Sequence, residues 1–393
     1  MMYELLYPLS HKIAWLSWLN VLRYTPFRAI MATITAMVIS FFVAPWFIQK
    51  LRGKQISQII REEGPASHFA KKGTPTMGGA LILLSVLVPT VLWADVHNPF
   101  VLSTAIVTAG YGMVGFIDDR LKITGQNTRG LPGRYKLVGQ FTIAGFAMAY
   151  LFLGADLPKG WLLIRDRLAI PFLAFEKHPV SLPIWLYVCF AVLFVVVMSN
   201  AVNLTDGLDG LAIGPVMMSA GTYLIWAYVA GSVLFGRPLA QYLDIAGIPE
   251  MTELAIFAAA TIGAGTGFLW YNTYPAQVFM GDVGSLALGG GLGMLAVLTK
   301  TELLSIVLGG IFTVEAASVI TQVVSFKLFG KRVFLMAPIH HHYEKKGWPE
   351  PRIIVRFWII SFLLALVALS SLKLRCCKFQ AKTWSWSVSA RAG

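Results

Sequence analysis

Four short motifs hold side chains whose types and spacing could do chemistry. Asp118 and Asp119 stand in Gly115-Phe116-Ile117-Asp118-Asp119-Arg120, and Asp206 and Asp209 in Asn203-Leu204-Thr205-Asp206-Gly207-Leu208-Asp209-Gly210. Asp282 lies in Met280-Gly281-Asp282-Val283-Gly284-Ser285, and His340, His341 and His342 follow Pro338-Ile339. Singly, each has a bland explanation. An Asp pair can end a helix in solvent, Asp-Gly is ordinary turn chemistry, and three histidines can be a polar turn or an adventitious metal site. Together they place at least five carboxylates in a chain of which only 13% is charged. Carboxylates near a hydrocarbon edge are costly unless paired or metal-bound. Such a group suits Mg2+, a hard cation that takes oxygen ligands and keeps waters for phosphate oxygens. The loop Gly73-Thr74-Pro75-Thr76-Met77-Gly78-Gly79 offers backbone N–H groups to a phosphate, with Lys71 or Lys72 adjacent. That signal is weak alone, because glycine also permits close helix packing in membranes.

The elements that carry these motifs follow from composition. Of 393 residues 56% are hydrophobic, and the mean hydropathy is +0.68. An average soluble domain is roughly 25% charged, so a soluble enzyme, a disordered chain and a disulfide scaffold are poor readings. A polytopic all-α membrane protein remains. About 20 mostly apolar residues cross a bilayer as a helix. Ten segments qualify, at 27–49, 77–94, 99–117, 135–154, 181–199, 211–230, 252–270, 285–299, 303–326 and 353–372, the eighth being short and glycine-rich. No cleavable signal peptide is evident in the first 25 residues. Cys189, inside an apolar run, reads as a buried small hydrophobe; with Cys376 and Cys377 it makes no disulfide framework.

Charge sets the orientation. The net charge is +13, and the loops at 50–76, 118–136 and 327–352 hold 17 of the 32 Lys and Arg residues. With ten spans these loops share one side, which the positive-inside rule makes cytoplasmic, leaving both termini periplasmic. All four motifs fall on that same side, although neither the span count nor the charge rule used them.

The residues therefore support Mg2+-dependent phosphate chemistry in a cytoplasmic-side cleft, with one soluble anionic substrate and one arriving from the bilayer. A transporter with cation-binding carboxylates is the competing class. Transporter sites lie near the midplane on broken helices, whereas these carboxylates sit at span ends on one side. A purely structural scaffold gives no reason for one-sided carboxylates, and the charge placement makes nucleic acid the poorest partner.

Over about residues 20–375 the chain resembles the MraY family, the bacterial phospho-N-acetylmuramoyl-pentapeptide transferases of the polyprenyl-phosphate N-acetylhexosamine-1-phosphate transferase superfamily. The resemblance rests on Gly73 to Gly79, Asp118-Asp119, Asn200 to Gly210, Asn272-Thr273-Tyr274-Pro275-Ala276, Phe279 to Ser285, and Ala337-Pro338-Ile339-His340-His341-His342-Tyr343-Glu344. The last run separates these enzymes from the GlcNAc-1-phosphate transferases. By sequence pattern the nearest relatives are expected among gammaproteobacteria.

The resemblance implies a ten-helix fold and a reaction. UDP-N-acetylmuramoyl-pentapeptide and undecaprenyl phosphate give lipid I and UMP, with Mg2+, at the bacterial inner (cytoplasmic) membrane, in a homodimer. It makes Asp282 the metal ligand and Asp118 and Asp119 the catalytic pair, one of which deprotonates or positions the lipid phosphate. An alternative has Asp282 attack as a covalent nucleophile, and sequence does not choose between the routes. Asp206 and Asp209 fit a uridine-contacting or metal-supporting loop. Asn203 and Asn272 offer amide groups, Phe279 a stacking face for uracil, and Lys71 a phosphate contact. Thr76, Gly281 and Ser285 complete the loops around the substrate. His340 joins the catalytic set, with His341 and His342 near sugar-peptide or phosphates; Gln322 is a weaker substrate-side candidate.

Residues 1–375 read as one integral-membrane transferase domain. Family members tend to end near Lys373-Leu374-Arg375, so 376–393 reads as an atypical tail without assigned function.

Overall fold

The computed structural model describes residues 6–8, 10, 14–53, 73–125, 130–154, 157–178, 180–234 and 236–374. Its main helices are α1 (Thr25–Gly53), α2 (Gly79–Trp93), α3 (Pro99–Thr124), α4 (Gly133–Leu153), α5 (Ile184–Thr205) and α6 (Ile213–Gly231). They continue with α7 (Leu254–Asn272), α8 (Gly281–Leu298), α9 (Glu302–Leu308), α10 (Gly310–Phe329), α11 (Ile339–Lys345) and α12 (Glu350–Ser370). Among the described residues, nine helices are long and apolar enough to cross a membrane. The chain is an all-α polytopic membrane protein. Two small antiparallel ribbons, Arg167–Leu168 with Val180–Ser181 and Val233–Leu234 with Arg237–Pro238, sit in loops.

All ten expected segments are helical, with differences that matter. The second is α2, 15 residues long, which rises only about 22 Å against a hydrocarbon core of about 30 Å. The ninth breaks at Gly309 into α9 and α10. Three helices run past their apolar stretch at the same end of the bundle. α3 continues to Thr124, α5 continues to Thr205, and α8 begins at Gly281, so Asp118, Asp119, Asn203 and Asp282 are helical and not in loops. The start of α3 is fixed locally: Asn98 Oδ1 accepts from the N–H groups of Phe100 and Val101, with Pro99 at the first position. Such a cap is worth about 1 kcal/mol.

α8 is the axis of the molecule. Every residue from Val283 to Leu298 is buried, as expected of a helix that is apolar on all sides. The outer helices turn apolar faces outward, through Ile30, Phe42 and Trp46 of α1, Phe146 and Leu153 of α4, and Phe362 and Leu363 of α12. Cys189 is also exposed, which corrects the expectation that it is buried: in a lipid-facing span apolar character does not mean the core. The boundary expected at residue 376 and the tail beyond it lie outside the described residues.

Candidate active site

Two helices bring Asp118, Asp119 and Asp282 together. Asp118 and Asp119 lie in the last two turns of α3, both buried, and Asp282 is in the first turn of α8. One oxygen of each lies within 4.8 Å of the others. α3 reaches α8 so closely because Gly115 has no side chain; a Cβ there would lie 2.2 Å from the Asp282 carbonyl oxygen. The first turn of α8 also gives Asp282 the favourable end of the helix dipole.

Convergent carboxylates need countercharge, and two lysines supply it. Lys122 Nζ is 2.5 Å from Asp118 Oδ2, 3.7 Å from Asp119 Oδ1 and 2.9 Å from Asp282 Oδ2. Lys136 Nζ, from the first turn of α4, is 2.7 Å from Asp282 Oδ2 and 3.9 Å from Asp118 Oδ2. Backbone donors add to this. Leu131 N–H donates to Asp118 Oδ1 at 2.7 Å, and Val283 N–H donates to Asp119 Oδ2 at 3.3 Å.

Asn203, from the end of α5, donates through Nδ2 to Asp282 Oδ1 at 2.9 Å and to Ser285 Oγ at 3.1 Å. Ser285 Oγ in turn donates to the Gly281 carbonyl at 3.0 Å. Gly281 adopts φ +70°, and a Cβ there would fall 2.5 Å from Asp119 Oδ2 and 3.1 Å from Thr76 Oγ1. Thr76 is buried beside the same carboxylate. Asn203, Ser285, Gly281 and Thr76 thus border the carboxylate group. Burial, and then the negative charges of Asp282, Asp119 and Asp209, push the Asp206 carboxyl up to about 8.

Other expected site residues contact different partners. Asp209 Oδ2 accepts from Ala276 N–H at 3.0 Å, and Asn272 Nδ2 donates to the Val278 carbonyl at 2.9 Å. Both brace the 273–280 loop. Phe279, half-buried, receives Gly78 N–H on its carbonyl and donates its own N–H to Pro75 O. The N–H groups of Gly78 and Gly79 bond to Phe279 O and Met280 O. Those two donors hold one loop to another and are not free for a phosphate. Lys71 lies outside the described residues.

A second group lies around α11. His340 is fully buried, with Nδ1 3.1 Å from Glu315 Oε1 on α10, and Glu315 Oε2 accepts from Ile339 N–H at 2.8 Å. His340 Nε2 has no hydrogen-bond partner among the described residues, and it presses on Gly207, where a Cβ would meet it at 2.2 Å. The loop after Asp206 therefore bridges the histidine and carboxylate groups. His341 Nδ1 is 2.5 Å from Glu344 Oε2, and His342 Nδ1 accepts from Leu335 N–H at 3.1 Å. Gln322 ties α10 to the 333–334 backbone, accepting from both N–H groups and donating to Phe334 O.

Sequence reasoning missed Lys122, Lys136 and Glu315 as site residues. Lys122 had a signal, because positions i+3 and i+4 from two aspartates share a helix face. Glu315 had one too, as the lone acid between Gly310 and Phe329. Lys136 carried no local signal; it meets Asp282 through tertiary packing.

A family model described as Glycosyl transferase family 4 matches residues 101–300. That stretch holds all three carboxylates and both lysines. The protein is therefore a polytopic membrane transferase of that class. A phospho-N-acetylmuramoyl-pentapeptide-transferase signature matches residues 71–83. The Sorangium cellulosum (strain So ce56) protein of that name is 70% identical over 376 residues, covering 95% of this chain and 100% of its own length. Those of Geobacter sp. (strain M21) and Anaeromyxobacter sp. (strain K) are 52% and 53% identical over 377 and 393 residues, again covering 95% of this chain and all of the relative. The chain belongs to the phospho-N-acetylmuramoyl-pentapeptide-transferase family.

Proposed function

We propose that the chain transfers phospho-N-acetylmuramoyl-pentapeptide from UDP-N-acetylmuramoyl-pentapeptide to undecaprenyl phosphate, giving lipid I and UMP at the cytoplasmic face of the bacterial inner membrane. The observation that carries this is the meeting of Asp118, Asp119 and Asp282 with Lys122 and Lys136 at one end of the bundle. Two phosphate-bearing substrates need such a place, where like charges approach each other and countercharge is at hand.

The donor set fits Mg2+. Three carboxylate oxygens within 4.8 Å of one another form an all-oxygen group, and the two ammonium groups leave it with one net formal negative charge. Asp282, supported by Asp118 and Asp119, would hold the ion. When bound, it would neutralise the pyrophosphate charge and improve UMP as a leaving group.

The protein's own groups do the rest. Asp119, buried and held by Val283 N–H, orients the lipid phosphate or takes its proton for attack on the β-phosphorus. Lys122 and Lys136 are placed to transfer their contacts from carboxylates to phosphate oxygens. Asn203 orients Asp282 and Ser285. Asp282 has Oδ1 on Asn203 and Oδ2 on both lysines. Direct attack by the lipid phosphate is the simpler route, because it leaves the Asp282 carboxylate free to hold the ion. Asp206, Asp209, Asn272 and Phe279 shape the nucleotide side through their two loops, and Lys71 is carried as a phosphate contact on the family resemblance alone. His340, His341, His342 and Gln322 order the sugar-peptide side. The same reading puts both termini in the periplasm, makes the enzyme a homodimer and leaves 376–393 outside the catalytic domain.

The test is UMP release by detergent-solubilised protein given undecaprenyl phosphate, Mg2+ and either UDP-N-acetylmuramoyl-pentapeptide or UDP-GlcNAc. Turnover of the first alone is expected. Turnover of UDP-GlcNAc alone would overturn the substrate assignment.

A further inference from the structure

The far end of α8 carries a polar group that the chemistry above does not use. Lys300, in the turn after α8, is buried, and its Nζ donates to the Arg165 carbonyl at 2.6 Å. The ammonium also lies 4.0 Å from the Tyr187 ring centroid and 4.7 Å from that of Trp161. The Tyr187 hydroxyl, in the first turn of α5, donates to the buried Glu302 at the start of α9. Thr299 and Thr301, also buried, pair their hydroxyls at 2.9 Å across the turn. Lys300 itself adopts φ +55°, a left-handed conformation that a non-glycine residue keeps only when its surroundings hold it.

Between this end and the carboxylates, α5 and α8 meet on glycine. A Cβ on Gly289 would lie 2.6 Å from Ser199 Cα, and one on Gly293 would lie 2.9 Å from Val195 Cα. Glycine contacts let helices come close, but they offer no side-chain ridge to seat in a groove and oppose axial sliding. Val195, Met198 and Val202 of α5 pack over these glycines, and polar ties along the two helices add to the register that this packing gives. At the catalytic end these are Asn203 with Asp282 and Ser285, and Ser199 Oγ with Leu286 O at 2.9 Å. At the other end, among the described residues, the Lys300 group joins the α8 terminus to α5 through the Tyr187 ring.

We propose that Lys300, Tyr187 and Glu302 are positioning residues that set the axial register of α8 on α5, and so hold Asp282 against Asn203 at the opposite end. The proposal rests on the transferase reading above. A misplacement of about 1 Å at a reacting centre costs on the order of 100-fold in rate, so a small slip of α8 would show in turnover before it showed in substrate binding.

The test compares wild type, Lys300→Met, Lys300→Arg and Tyr187→Phe, each as the full chain in detergent. kcat and KM for UDP-N-acetylmuramoyl-pentapeptide are measured per folded molecule, the folded fraction being taken from size-exclusion chromatography. Lys300→Met is expected to lower kcat on the order of 10- to 100-fold with KM nearly unchanged. Tyr187→Phe should lower it several-fold, and Lys300→Arg should recover most of the loss by keeping a cation between the two rings. Wild-type kcat per folded molecule in Lys300→Met and Tyr187→Phe, whatever happens to folded yield, would overturn the proposal. If Lys300→Met does not fold, Tyr187→Phe decides alone, since it removes one hydroxyl. A wild type that releases no UMP would instead sink the transferase reading.

Discussion

Lys136 Nζ at the start of α4 lies 2.7 Å from Asp282 Oδ2 at the start of α8, a contact spanning 146 residues of sequence. It makes the carboxylate group tolerable, because Lys122 alone would face three acids. Removing one partner of a buried pair leaves an uncompensated charge. Lys136→Met is therefore expected to cut UMP release on the order of 100-fold. Lys136→Arg should keep part of the activity. Steady-state rates on protein of matched folded fraction check this, and equal rates for Met and wild type would contradict it.

Asp119 is expected to act on rate more than on binding. Asp119→Asn keeps an oxygen toward Val283 N–H but loses the charge and the basic site. Loss of a general base costs about 100- to 10,000-fold. Calorimetric binding of the UDP-sugar should stay within a few-fold of wild type while turnover collapses. A variant with an unchanged rate would remove Asp119 from the chemistry.

Glu315 holds both the His340 ring and the Ile339 N–H. Hydrogen bonds to a charged acceptor contribute about 1.5–3 kcal/mol, and Glu315→Gln weakens both. Turnover should fall about 10-fold if His340 acts in the reaction, the rate equivalent of about 1.4 kcal/mol lost from a charged hydrogen bond. The melting temperature should drop as well. Glu315→Leu, which leaves the ring and the N–H without acceptors, should be worse on both counts. Unchanged kinetics in Glu315→Gln would show that the histidine group only closes the loop.

The Asp206 carboxyl, pushed up to about 8 by burial and then by Asp282, Asp119 and Asp209, gives a pH signature. An unfolded Asp titrates near 3.9, so between roughly pH 4 and 8 the folded state holds a proton that the unfolded state has lost. Stability falls as pH rises through that window. Asp206→Asn removes the effect, and should melt above wild type near pH 8. The two should converge near pH 4. Thermal melts across pH in EDTA test it, and a pH-independent difference would refute it.

Much of this was legible in the residues, and the failures have physical causes. Helical segments followed from length and hydropathy, and the Asp118–Asp119 and Asp282 motifs meet at one end of the bundle. Hydropathy could not show that α3, α5 and α8 run on past their apolar stretch, which is what puts Asp118, Asn203 and Asp282 on rigid helices. It also could not tell the lipid-facing Cys189 from a core cysteine, since both sit in apolar sequence. Lys122 and Lys136 were counted as topology charges, yet the fold turns them inward onto acids distant in sequence. Gly78 and Gly79 fit a phosphate cradle by pattern, but a second loop takes their N–H groups.

The central claim is that the Asp118–Asp119–Asp282 group is the reaction centre, with Asp282 holding Mg2+. Asp282→Asn keeps an oxygen near Asn203 and both lysines but loses the charge that binds the metal. The direct measurement is Mg2+-dependent UMP release by Asp282→Asn and wild type at equal folded fraction. Abolished release in the variant, at any Mg2+ concentration and with folding intact, is the predicted result. Near-normal turnover would contradict the account.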